Sequence, residues 1–150
     1  MTEHKRDKNS LIVAFGNLAC HKGAFVPADQ IAARLLGSNR WFSNRKPGIT
    51  PLGAKVLFYQ NGLGVVASGI VEQINLTTPA EVVGALGFPA AMLYVWRLRD
   101  ISNMKPAISL RGLVQELRFI TNKRHWGQSL RYTPRWIWDS DFDTIANATR

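Results

Sequence analysis

The chain has 150 residues, 46% of them hydrophobic and 19% charged, and carries a net charge of +9. A chain of this length buries roughly 68–70% of the surface its unfolded form exposes, so it can fold as one domain without disulfide staples. The composition excludes a disordered protein, and no apolar run approaches the ~18 residues of a membrane span.

Residues 1–9 are charged and precede only a short apolar run, so they read as a disordered tail rather than a signal peptide. Residues 10–150 read as a single domain. The segment 11–17, LIVAFGN, is rich in branched apolar side chains and predicts a first strand. A helix is expected over 27–36, with Pro27 at its first position, Ile31 and Leu35 on one face, and Gly37 as its stop. The loop 38–53 is full of turn residues yet holds Trp41 and Phe42. Two strands then flank Asn61-Gly62, a strong hairpin signal. In the second of them Gly64, Ala67, Ser68 and Gly69 are small enough to admit a backbone or a ligand. Thr78, Pro79 and Glu81 have capping-box spacing and open a short helix that ends near Gly87. A third long strand covers 93–101, followed by a short helix over 109–116 and a strand LRFIT over 117–121. Ser140 opens a last helix, with Asp141 and Asp143 near its positive end. Trp136 and Trp138, alternating about Ile137, clamp that helix to the body, while Trp96 inside a strand pattern reads as core. The sum is an α+β fold: a curled sheet or small β-barrel with short helices packed around it.

The charge is unevenly placed. Residues 10–60 carry six Lys/Arg against one acid, and residues 105–135 carry seven against one. Residues 61–104 carry two against three, and 136–150 one against three. Two basic segments favour a basic face of the kind that meets nucleic acid, set against the blander reading of a basic protein with nothing bound.

Little in the sequence points to catalysis. Asp139, Asp141 and Asp143 read as helix-opening residues, and Glu72 and Glu116 are isolated, so no acid–base pair emerges from spacing. Cys20, the only cysteine, adjoins His21; neighbours on a chain rarely aim at each other, which leaves a thiol nucleophile a weak candidate. A lone cysteine suits a reducing, cytoplasmic setting. His4 and His125 complete no paired metal-ligand spacing, and no phosphate-binding glycine loop is present, so neither metal nor cofactor is expected.

Three motifs carry a resemblance: Trp41-x-x-x-Arg45, then Gly53-x-Lys-Val-Leu-Phe-Tyr59, then Gly64-Val-Val-Ala-Ser-Gly-Ile-Val71. Together with the segments 93–101 and 119–145 they are similar to the EVE domain, a PUA-like relative of the YTH and ASCH domains, over roughly residues 38–146. Ala54 stands where that family carries an acid, the loop after Arg45 runs into Lys-Pro-Gly, and the first strand lacks the family's opening tryptophan. The resemblance implies a cleft that takes a nucleobase, often a modified one, against aromatic side chains. By the same resemblance Trp41, Arg45 and Tyr59 belong to that cleft, and Asn122, Lys123 and Arg124 to the polar stretch beside it.

Base capture needs flat π faces, directed hydrogen bonds and cations. Trp41 beside Ser43, Asn44, Arg45 and Lys46 offers all three within six residues, with a plug at a barrel end as the alternative. Trp126 lies in the most basic turn, next to Gly127, and reads equally as a base platform or as packing for the last helix. The expected ligand-binding set is therefore Trp41, Ser43, Asn44, Arg45, Tyr59, Ser68 and Trp126, with Lys46, Asn122, Lys123, Arg124 and Arg131 along the phosphates. The leading function is a reader of RNA or DNA that holds a modified base and does no chemistry. An ASCH-like enzyme would instead need a lysine, a hydroxyl and a carboxylate to converge, for which Lys55, Ser68 and Glu72 are the candidates. A protein-interaction domain anchored by exposed tryptophans is the third possibility.

Overall fold

A computed structural model describes residues 8–19, 24–45, 52–131 and 133–148. Residues 1–7 of the expected tail, Cys20 and His21 lie outside them. The body is a curled six-stranded sheet whose faces are covered by short helices. Its strands are β1 (Ser10–Phe15), β4 (Arg40–Ser43), β5 (Lys55–Gln60), β6 (Gly64–Leu76), β7 (Tyr94–Ile108) and β8 (Arg135–Ile137), in the order β4-β7-β6-β5-β1-β8. A small ribbon pairs β2 (Leu18–Ala19) with β3 (Phe25–Val26). The helices are α1 (Ala28–Gly37), α2 (Pro79–Leu86) and α3 (Asp139–Ala146), with 3-10 turns at Arg111–Glu116 and Trp126–Leu130. Among the described residues no helix is long and apolar enough to cross a membrane.

The unbroken apolar runs of β1 and β5 have a direct cause: both strands are buried on both faces. Leu11, Val13 and Phe15 of β1, with Val56 and Phe58 of β5, face a first core under α1 and α2, built with Ile31, Leu35, Trp41, Leu86 and Trp96. Ile12 of β1, with Leu57 and Tyr59 of β5, faces a second core with Leu117, Phe119, Ile120, Phe142 and Ile145. The two strands run parallel, Val13 opposite Phe58, while every other pairing in the sheet is antiparallel. A parallel pair cannot be closed by a tight hairpin, so the chain between them makes the crossover through β2, β3, α1 and β4.

Several local expectations hold. The Thr78 hydroxyl accepts the Glu81 N–H at 3.2 Å, Pro79 opens α2, and Gly87 ends it at φ 86°. Gly62 takes φ 79° in the β5–β6 turn. A side chain at Gly64 would collide with the Ile108 carbonyl, so what approaches that small residue is backbone of β7. The end of α1 differs: the left-handed residue is Asn39, at φ 58°, two positions past Gly37, a conformation asparagine tolerates. Strand β7 runs well past the expected Ile101, because its exposed half, from Arg99 to Ala107, is held by pairing with β6 rather than by an apolar pattern.

Trp41 does not stand in a polar loop; it sits in β4, opposite Trp96, and is 4% exposed. The segment LRFIT is no strand. Its Leu117, Phe119 and Ile120 are buried, but the Arg118 and Phe119 N–H groups donate to the Asp141 carboxylate at 2.8 and 2.9 Å. Asp141, 1% exposed, thus serves as a clamp on this bend rather than as a dipole partner of α3. Ser10 adds a second tie, its hydroxyl donating to Asp139 at 2.7 Å. The Lys8 ammonium and the Arg118 guanidinium each lie over the Trp138 ring, 4.3 and 4.4 Å from its centroid.

Removing the clamp strands one buried and one part-buried donor. Asp141→Ala is expected to cost about 3 kcal/mol, the loss for buried hydrogen bonds to a charged group. Asp143→Ala, on an exposed residue 3.9 Å from an exposed Lys55, should stay within about 0.5 kcal/mol. Urea midpoints of the two variants measure the difference.

Candidate nucleic-acid interface

The carboxyl ends of the parallel pair lie side by side, tied by the Asn61 N–H donating to the Phe15 carbonyl at 2.8 Å. Two clefts open there, of about 310 Å³ and 420 Å³, within the usual size of a small-molecule site. They adjoin: Ala14 and Thr133 line both. The Thr133 hydroxyl accepts the Ala14 N–H at 2.9 Å and lies 3.4 Å from its carbonyl, which fixes the shared wall. Gly16 packs against Asn61, so that a Cβ there would sit 3.1 Å from Asn61 Nδ2.

The first cleft has an aromatic and aliphatic floor. Trp41 is flanked by Phe15 edge-on at 4.9 Å and by Phe58 at 4.8 Å. Ile31, Leu35 and Leu86 close the cleft below, and Asn17, Ser43, Asn44 and Arg45 stand around it. Asn17 accepts the Ala28 N–H at 3.0 Å through Oδ1, capping α1, and its amide group carries two further donors. Ser43 accepts the Arg45 N–H at 3.0 Å and donates to the Arg45 carbonyl, so its hydroxyl shapes the turn. Asn44 and Arg45 are exposed. Lys46 lies outside the described residues.

The second cleft gathers Tyr59, Asn61, Trp126 and Arg131. Tyr59 therefore meets Trp126 and Arg131, two expected site residues far from it in sequence. Burial pushes the Tyr59 phenol above its ordinary pKa of 10.0, partly offset by the Arg111 guanidinium. Trp126 is half-buried against the second core, and Arg131 is exposed. None of the four ion pairs among the described residues involves Arg45 or Arg131.

Other expected residues lie elsewhere. Lys123 turns inward and donates to the Val114 and Leu117 carbonyls at 3.0 and 2.6 Å, so it holds a 3-10 turn instead of reaching for phosphate. Asn122 accepts the His125 N–H at 3.1 Å, a local turn contact. Arg124 is exposed but lines neither cleft. Ser68 sits mid-sheet, opposite Leu57 and Ser102, also away from both. Lys55 faces Asp143 and the Phe142 ring, at 3.9 and 4.9 Å, and no hydrogen bond or ion pair joins it to Ser68 or Glu72. Asn17, Asn61 and Thr133 were not anticipated. Gly16-Asn17, read as the end of a strand, is the turn signal that marks where β1 stops.

The Tyr59 environment predicts a pH dependence. Its folded pKa is raised, so the unfolded chain releases the proton first and the native state loses stability as pH rises. The phenol's contribution is intact below pH 10.0 and disappears as pH climbs through the higher folded value. Tyr59→Phe should therefore lose less stability than the wild type between about pH 10 and 11, above the free tyrosine value. Denaturant melts at each pH provide the measurement.

No family model matches the sequence, and no curated protein does. The structure is similar to crystal structures of ASCH from Zymomonas mobilis. One of them has a TM-score of 0.58 at 14% identity, covering 93% of this chain and 95% of that one. Two variant proteins of that ASCH give TM-scores of 0.60 and 0.57 at 13% and 15% identity, covering 93% and 94% of this chain and 97% and 96% of theirs. The curled six-stranded sheet with its short helices is the ASCH/PUA-like α+β fold.

Proposed function

We propose that this chain is a nucleic-acid-binding domain that takes one base of RNA or DNA, in EVE fashion a modified one, into the first cleft. The observation that carries the reading is the cleft at the end of β1, where Phe15 and Trp41 form a floor and Asn17, Asn44 and Arg45 a polar, cationic rim. An aromatic floor offers stacking that is indifferent to base identity; the amides supply directed hydrogen bonds; arginine supplies the phosphate contact. The net charge of +9 and the EVE-like motifs support the same reading. Lys55 engages Asp143 and the Phe142 ring rather than Ser68 or Glu72, its diagonal neighbours on β6, which favours binding over turnover by those residues.

A binding screen of modified nucleotides and single-stranded oligonucleotides, with mass spectrometry of what is released, tests it. Binding without product is expected. Absence of any binding at low salt sinks the proposal, and turnover would convert the domain into an enzyme.

The buried Trp41 calls for a conservative probe. Trp41→Ala is expected to cost about 3–5 kcal/mol of stability, as for other large core aromatics. Trp41→Phe should stay folded and weaken binding of modified and unmodified bases alike, with the salt dependence unchanged. Arg45→Ala should instead weaken binding to every sequence and lower the slope of log Kd against log salt by about 0.7, one phosphate's share for a single strand.

A further inference from the structure

We propose that the second cleft is a subsite for the adjoining nucleotide, so that the ligand is at least a dinucleotide crossing the ridge of Ala14, Asn61 and Thr133. This rests on the reading of the first cleft as a base site. The two clefts share wall residues and open at the same end of the parallel pair, which is the relation neighbouring nucleotides require. Trp126, half-buried and carried on a 3-10 turn, supplies a π face held by the second core. A Cβ added at the adjacent Gly127 would meet nothing within 4 Å, so the approach beside the indole is open. Arg131 stands exposed at the same cleft, and Tyr59 from β5 lines its wall. Its phenol, protonated at neutral pH as any tyrosine is, can donate a hydrogen bond. An aromatic face, a guanidinium and a phenolic donor are the set that grips a splayed base and its phosphate.

Isothermal titration of the full chain with nucleoside monophosphates and with 5′-phosphorylated dinucleotides tests this, using RNA and DNA forms, plain and base-methylated. Dinucleotides should bind about tenfold or more tightly than the best monophosphate, the gain expected of one added stack. Trp126→Ala and Arg131→Ala should each remove most of that gain while leaving monophosphate affinity within about twofold, as for an uncoupled site. Trp126→Phe should restore it. If Trp126→Ala melts early, the exposed Arg131 decides the matter. Monophosphate binding with no dinucleotide gain, or a gain that Arg131→Ala leaves intact, overturns the second subsite and spares the first. Failure of the wild type to bind either class removes both.

Discussion

Two adjacent parallel strands, each buried on both faces, set the terms for everything else in this molecule. Leu11, Ile12 and Val13 of β1 and Val56, Leu57 and Phe58 of β5 are at most 5% exposed. A parallel pair with apolar side chains on both sides must be covered twice, and the chain supplies α1 and α2 for one face and α3 with the 117–120 bend for the other. The pair also ends abruptly. Beyond Phe15 and Gln60 the ladder gives out, and the space between the covering layers is left as two clefts rather than filled core. The candidate interface is therefore a consequence of where the central strands stop.

The loops, at those clefts and away from them, are fixed by side chains bonded to backbone, a necessity where polar groups leave water. Asn17 caps α1, Thr133 grips Ala14, Asp141 grips the 118–119 bend, and Lys123 holds two carbonyls. Each of these residue types also serves in ligand binding. Which role a side chain plays depends on whether an unsatisfied backbone group lies within its reach.

The same holds for the positive charge. Arg40 and Arg97 share Glu81, Arg34 bonds the Leu86 carbonyl at the end of α2, Arg118 lies on Trp138, and Arg135 donates to the Ser129 carbonyl. Part of an unusually basic composition is thus spent inside the fold. Arg45 and Arg131 are different, since each stands exposed at one of the two adjoining clefts.

By itself the sequence determined what depends on near neighbours or on simple burial. Thr78-Pro79 and Gly87 bounded α2, Asn61-Gly62 placed the turn, and the continuous runs at β1 and β5 announced strands covered on both sides. Trp96 was legible as core for the same reason, and the motifs from Trp41 to Val71 pointed to the PUA-like architecture. Tertiary structure alone decided the rest. Leu117–Ile120 looks like a strand until a carboxylate from α3 takes two of its amide protons. Trp41 looks like a loop aromatic until β7 pairs with its backbone and Phe15 and Phe58 close around its ring. The exposed half of β7 has no apolar pattern, because its partner's hydrogen bonds hold it. Tyr59, Trp126 and Arg131 belong to one cleft only because β5 and the 3-10 turn ahead of β8 come to the same end of the sheet. Contacts between residues far apart in sequence leave no periodic signal, and the clefts are made of such contacts.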